Sequence, residues 1–406
     1  MVTQILVDTM PTPRDWRHGG RQQGTDIMPR NLLTGEQDMA RQTVQAAQDI
    51  FLSHDGLDGP QLIEQNSMYV GTKTEFTDAT AEQILSNWES LPEWHRNELI
   101  RHRQELSAIF NGEDDRIALV VGPCSIEDIG SAERYIERMA KLQEQVKDHV
   151  KLVIRLYGEK PRTQAFDKYG QPTWWGKLAH PDPNHREPKI LDAQSVVEFQ
   201  GLFAHAARLG LATATEFLNV EAMQHLAHLP DFIAVGARTV GQSKYLQMAK
   251  ALGKLGAIIG FKNDLSGDVQ PAINSVQGIS HDNPNGIVVL RGGERGDKTN
   301  FENWNQDQYI VGEKQVCVDV CHGNSNKRLS RTKEILGAII GKMRQGLEFP
   351  RSIMLESHLT EGTLNKDNNA HSLTDPCLGF ETTEAWVMEL AEAHKFTLEE
   401  QRKWAK

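Results

Sequence analysis

Eight short apolar runs, too brief for helices and rich in Val and Ile, constrain the fold more than any other feature of the chain. They are Ile117–Val121, Leu152–Tyr157, Ala212–Phe217, Phe232–Ala237, Ile258–Phe261, Ile287–Leu290, Val316–Val320 and Ile353–Leu355. Between most of them lie stretches with helical spacing. Ala132, Tyr135, Ile136, Met139, Leu142 and Val146 form one stripe, and Val196, Phe199, Leu202, Phe203, Ala206 and Leu209 form another. Continuous apolar strands alternating with amphipathic helices predict parallel strands covered by helices. Eight such units over roughly 250 residues match a closed (β/α)8 barrel of the TIM type. An open, doubly wound sheet is the competing arrangement of the same units.

The first 110 residues read differently, as an N-terminal extension to a catalytic barrel spanning 111–406. Residues 10–35 carry Pro11, Pro13, Gly19, Gly20, Gly24, Pro29 and Gly35 with no sustained period, the pattern of an extended arm. A weakly amphipathic stretch follows at 36–53. Residues 80–111 are expected to be helical, with Ile84, Leu85, Trp88, Leu91 and Trp94 set among charges.

Composition narrows the function classes. With 44 Lys plus Arg against 55 Asp plus Glu, the net charge is −11, which argues against general nucleic-acid binding. No apolar run has the length of a membrane span, and the N-terminus lacks a signal-peptide pattern. Four cysteines (Cys124, Cys317, Cys321, Cys377) in 406 residues do not make a disulfide scaffold, so a reducing cytoplasm is the expected compartment.

In a barrel of this kind, function belongs at the C-terminal ends of the strands. Those ends carry Gly122-Pro123-Cys124-Ser125, Arg155 with Glu159-Lys160-Pro161-Arg162-Thr163, Glu216, Gly236-Ala237-Arg238-Thr239, Lys262-Asn263, Arg291-Gly292-Gly293, Cys321-His322 and Glu356-Ser357-His358. Six are cationic: Arg155, Lys160, Arg162, Arg238, Lys262 and Arg291. Any one alone reads as a surface salt bridge. Six on one rim of an acidic chain imply that anions occupy the space between them, with Arg forks suited to phosphate and carboxylate.

A second constellation is Cys124, His322, Glu356 and Asp375. Strands one and eight are neighbours in a closed barrel, so these residues can converge. Mixed S, N and O donors suit a divalent Mn, Fe, Co or Zn ion. Each member also has a bland reading: Cys124 as a buried apolar residue, or Cys321 as ligand in place of His322. Strand alternation points Cys321 and His322 to opposite faces, so one of the two reaches the rim. Gly292-Gly293-Glu294-Arg295-Gly296 lacks the residues of a P-loop and reads as a turn. Trp174-Trp175 reads as packing for a long loop, with a lid as the alternative.

Taken in order, Gly122–Ile126, Glu159–Thr163, Gly236–Thr239, Gly260–Asn263, Leu290–Gly293, Glu356–Leu359 and Leu373–Asp375 closely resemble the motifs of type I 3-deoxy-D-arabino-heptulosonate 7-phosphate (DAHP) synthases. The resemblance covers roughly residues 80–395. It implies a metal-dependent barrel that condenses phosphoenolpyruvate with erythrose 4-phosphate and releases phosphate, the first step of the shikimate pathway. It also implies a homodimer or homotetramer. Carried over by position, Arg155, Arg238, Lys262 and Arg291 resemble the phosphoenolpyruvate clamp, lined by Gly236 and Ala237, with Glu216 beside it. Lys160, Pro161, Arg162 and Thr163 resemble the aldose-phosphate cradle. Cys124, His322, Glu356 and Asp375 match the metal ligands. Lys160 is the candidate general acid, and its neighbouring cations are expected to lower its pKa.

Two departures stand out. The segment Asp264–Leu290 is shorter than the family's usual stretch, which carries a hairpin of the aromatic amino-acid feedback site, so that inhibition is expected to be absent. The loop at 164–190 is longer than usual. Together with the unmatched N-terminal arm, this keeps open a specialised homologue with another acceptor, such as an amino-deoxy sugar phosphate. A catalytically silent homologue is the remaining alternative.

Overall fold

A computed structural model of the chain describes residues 75–160, 174–181, 191–364 and 371–404. The expected arm at 10–35, the stretch at 36–53 and the residues Pro161, Arg162 and Thr163 lie outside the described residues.

Each of the eight apolar runs supplies one strand of a parallel barrel. In order they are β1 (Ile117–Gly122), β2 (Val150–Arg155), β3 (Ala212–Glu216), β4 (Phe232–Val235), β5 (Ile258–Lys262), β6 (Gly286–Leu290), β7 (Cys317–Asp319) and β8 (Ser352–His358). Neighbours pair in sequence order, and β8 pairs back onto β1 with Gly122 opposite Glu356. That closing pair excludes the open sheet. The helices that cover it are α3 (Ile129–Val146), α4 (Ala193–Arg208), α5 (Val220–Leu226), α6 (Ser243–Gly253), α7 (Gln270–Ile279), α8 (Leu329–Arg344) and α9 (Phe380–Trp404). Two more, α1 (Asp78–Ser90) and α2 (Glu93–Asn111), precede the barrel.

Local sequence explains the elements. Asp128 caps α3 by accepting from the Ser131 amide at 2.7 Å, and the buried stripe of α3 is the one read from the spacing. Asp192 caps α4 in the same way. Alternation along each strand divides the interior in two. Ile117, Leu119 and Val121 of β1, with their counterparts on the other strands, pack outward against the helices. Ala118, Val120, Val153, Ala214, Phe232, Ile258, Val289, Cys317 and Met354 point inward. From α2, Leu106, Ile109 and Phe110 join that inner cluster and form the barrel's floor. On β2, Lys151 reaches Glu105 of α2 at 2.7 Å, so the floor also carries a charged pair.

Two details were not legible in the periodicity. The run Val316–Val320 yields only a three-residue strand, because the Asp319 carboxylate accepts from the amides of Cys321 and His322 and turns the chain. The segment after β6 contains two short hairpins, Gly293–Glu294 with Asn300–Phe301 and Ile310–Val311 with Lys314–Gln315. Between β5 and β6 there is a turn and one helix, α7, without a strand.

Candidate active site

Following the inward-facing positions up each strand leads from apolar residues to charged ones at one rim. Val153 is followed by Arg155, Ala214 by Glu216, Val289 by Arg291, Cys317 by Asp319 and Met354 by Glu356; Lys262 ends β5 on the same parity as Ile258. Strand geometry therefore brings these six groups to the mouth.

These groups are paired. The Arg155 guanidinium lies 3.1 Å from Glu356 Oε1, with both side chains buried. Lys262 Nζ sits 3.4 Å from Glu216 Oε2 and 3.9 Å from Asp319 Oδ2. Burial opposes ionisation of Glu216, but Lys262 and Lys160 outweigh it and hold its pKa below the usual carboxylate range. Gly236 leaves room for the Glu216 carboxylate, since a Cβ there would lie 2.5 Å from Glu216 Oε1 and push it aside. Arg291 is lowered chiefly by burial and senses Asp319, Arg238, Glu216 and Asp375. Arg238 is exposed at the end of β4, whereas Ala237 is half-buried.

Lys160 is buried and donates to Cys124 Sγ at 3.0 Å. The expectation of a lowered pKa is corrected. Burial does act in that direction, but the Cys124 and Glu356 charges prevail and raise Lys160 above the ordinary lysine value. Cys124 is itself pushed up by burial and by Glu356. Neighbouring loops are fastened above it: the Lys160 amide donates to the Trp175 carbonyl at 2.9 Å, and the buried Trp174 indole donates to the His180 carbonyl at 2.8 Å.

Donor atoms of Cys124, Glu356 and Asp375 all lie within 4.8 Å of one another. His322 adjoins them, with Nε2 3.6 Å from Glu356 Oε1. Asp375 would be raised by burial, but Lys327 at 2.8 Å and His322 bring it down to about 2. A thiol and two carboxylates at this spacing fit a borderline divalent ion, with the His322 imidazole beside Glu356 at their edge. Cys321 instead belongs to the outer apolar cluster and accepts from the Glu356 amide at 3.1 Å, so His322 is the member that reaches the rim.

Sequence reasoning missed Asp319. Its Oδ2 lies 2.6 Å from His322 Nδ1, which fixes the ring so that Nε2 faces the carboxylates. Its pKa is held far below the usual range: burial opposes this, but His322 and Lys262 dominate. The available signal was a charged residue at an inward position inside a Val-rich run.

A closed parallel barrel whose C-terminal mouth carries clustered cations beside a thiol–imidazole–carboxylate set defines an enzyme of the TIM-barrel class. The comparisons give its family. Residues 97–395 match the model of the DAHP synthetase I family, and the chain belongs to that family. It is 32% identical over 326 residues to the Trp-sensitive phospho-2-dehydro-3-deoxyheptonate aldolase of Escherichia coli K12, covering 72% of this chain and 88% of that one. The Phe-sensitive aldolase of the same strain is 29% identical over 329 residues, covering 74% and 89%. Among solved structures, the phospho-2-dehydro-3-deoxyheptonate aldolase of Francisella tularensis SCHU S4 superposes with a TM-score of 0.66 at 29% identity, over 78% of this chain and 96% of that one. No helix among the described residues is long and apolar enough to cross a membrane.

Proposed function

We propose that the chain condenses phosphoenolpyruvate with erythrose 4-phosphate to give 3-deoxy-D-arabino-heptulosonate 7-phosphate and inorganic phosphate. What supports this reading is Arg155 against Glu356, Lys160 against Cys124 and Lys262 against Glu216 at the mouth where Cys124, Glu356 and Asp375 lie together and His322 adjoins Glu356, with Arg291 at the end of β6. Arg155, Lys262 and Arg291, with Arg238 at the edge, bind the carboxylate and phosphate of phosphoenolpyruvate. This removes much of the entropic cost of bringing two anions together. Pro161, Arg162 and Thr163 would cradle the acceptor's phosphate, with Lys160 between the two substrates.

In the reaction, C3 of phosphoenolpyruvate forms a bond to the aldehyde carbon of the acceptor. Lys160, protonated because its pKa lies above the ordinary lysine value, delivers a proton from Nζ to the aldehyde oxygen as the bond forms. Water adds at C2, and phosphate departs into the arginine-lined end of the site. A divalent ion held by Cys124, His322, Glu356 and Asp375 supplies Lewis acidity when bound, and the donor set suits Mn, with Co, Fe or Zn as alternatives. Four free, buried cysteines are compatible with a reducing cytoplasm.

The relatives' names mark them as sensitive to Trp and to Phe. The segment between β5 and β6 has only α7, and we infer that this chain lacks the usual aromatic amino-acid feedback site. Assembly as a homodimer or homotetramer is part of the same reading, tested by light scattering on the full chain. The activity test is inorganic phosphate release from phosphoenolpyruvate against a panel of aldose phosphates. Erythrose 4-phosphate is expected to be the best acceptor; preference for an amino-deoxy tetrose or a pentose phosphate would replace it with the specialised reading.

A further inference from the structure

The Gly292-Gly293 pair reads in sequence as an ordinary turn, but its surroundings are unusual. A Cβ on Gly292 would lie 2.4 Å from the Asn324 amide nitrogen, and one on Gly293 would lie 2.2 Å from the Gly267 nitrogen. A Cβ on Gly323 would meet the Gly293 nitrogen at 2.3 Å. The loops after β5, β6 and β7 thus touch backbone to backbone at the rim.

Three buried asparagines hold them there. Asn263 Oδ1 accepts from the Arg291 amide at 2.7 Å, and Asn263 Nδ2 donates to the Gly292 carbonyl at 2.9 Å. Asn324 donates its amide to the Arg291 carbonyl at 2.9 Å and its side chain to the Leu290 carbonyl at 3.0 Å. Asn303 joins the other two. Its Oδ1 accepts from the Gly292 amide at 2.8 Å, its Nδ2 donates to Asn263 Oδ1 at 3.2 Å, and its own amide donates to Asn324 Oδ1 at 2.8 Å. Every backbone polar group of the Arg291–Gly292 turn therefore has a partner in this triad. Asn303 is in turn fixed from outside, because its neighbour Glu302 accepts from Trp304 Nε1 and from Arg331 of α8.

We propose that Asn303 is a positioning residue that sets the placement of Arg291, and through it the affinity for the phosphorylated acid; this rests on the substrate reading above. A buried amide network with no spare groups resists displacement, because breaking one bond strands a buried donor or acceptor. Removing the Asn303 side chain leaves the Gly292 amide without its acceptor and releases the turn that carries the Arg291 guanidinium. The contacts at stake are charge-assisted hydrogen bonds from Arg291 to an anionic group, and losing their alignment costs on the order of tenfold to a hundredfold in affinity.

The test measures equilibrium binding of phosphoenolpyruvate and of erythrose 4-phosphate to the full chain with Mn present. Four proteins are compared: wild type, Asn303→Ala, Arg291→Ala and the double variant. Asn303→Ala is expected to weaken phosphoenolpyruvate binding roughly tenfold to hundredfold, leave erythrose 4-phosphate unchanged, and add nothing once Arg291 is gone. Asn303→Asp retains the acceptor for Gly292 but not the donor to Asn263; its expected loss is intermediate, and it serves if the alanine variant does not fold. Equal weakening of both substrates, an undiminished effect in the Arg291→Ala background, or no effect at all overturns the proposal. Absence of phosphoenolpyruvate binding by wild type would instead overturn the substrate assignment, and inorganic phosphate run through the same four proteins then decides the role of Asn303.

Discussion

Replacing Asp319 by Asn isolates the part played by one buried carboxylate while preserving its shape. Asp319 Oδ2 lies 2.6 Å from His322 Nδ1, is fully buried, and has Lys262 Nζ at 3.9 Å. Oδ1 accepts from the Cys321 and His322 amides, and an asparagine oxygen can keep that turn. What the variant loses is the anion that fixes the imidazole orientation and makes Nε2 a stronger donor. Partners of this kind typically contribute 10–100-fold in metal affinity, which is about 1.4–2.7 kcal/mol. Titration of metal-stripped protein with Mn, followed by calorimetry, should show that loss. Thermal melting of the metal-free proteins provides the control for folding. Unchanged Mn affinity in a well-folded Asp319→Asn protein would refute the reasoning, since His322 would then need no orienting partner.

Other expectations concern the scaffold and its regulation. Burial lowers the pKa of His228 to about 3 and those of His95 and His394 to about 4. Below the unfolded value of about 6.5 the unfolded chain binds protons that the native one does not, so stability falls as pH drops from 6.5 towards 4. The slope is at most ~1.4 kcal/mol per pH unit for each histidine, and denaturant melts at pH 7, 6 and 5 that coincide would contradict it. Phe110→Ala removes the largest of the three side chains that floor the barrel and should cost about 3–5 kcal/mol in denaturant unfolding. Phosphate release should be insensitive to Phe, Tyr and Trp at low concentration; inhibition by any of them contradicts the inferred loss of the feedback site.

Much of the architecture was readable because strands and helices bury side chains at different periods. The stripes of α3 and α4 and the eight Val- and Ile-rich runs follow directly from that difference. The same parity placed Arg155, Glu216, Lys262, Arg291 and Glu356 at one rim, since each continues the inward row of its strand. Asp319 escaped notice because it sits within an apolar run, and the turn it makes to Cys321 and His322 truncates β7 before alternation can decide which of the two faces the mouth. The sequence misleads on Lys160 for a related reason. Its neighbours among the cations are visible along the chain, whereas the thiol and carboxylate that together overcome its burial come from the turn after β1 and from β8. Asn303 lies in a stretch without a strong period, and only three-dimensional contact among the loops after β5, β6 and β7 gives it a role.

The proposed function requires one mouth to hold a metal beside a nest of cations made for a phosphorylated acid. Crystals of the full chain grown with Mn and phosphoenolpyruvate, with anomalous scattering recorded for the metal, test it most directly. A single strong Mn peak is expected at bonding distance from Cys124 Sγ, His322 Nε2 and the carboxylates of Glu356 and Asp375, with the phosphate among Arg155, Lys262 and Arg291. A Mn peak away from those four donors, or phosphoenolpyruvate bound outside the mouth, would contradict it.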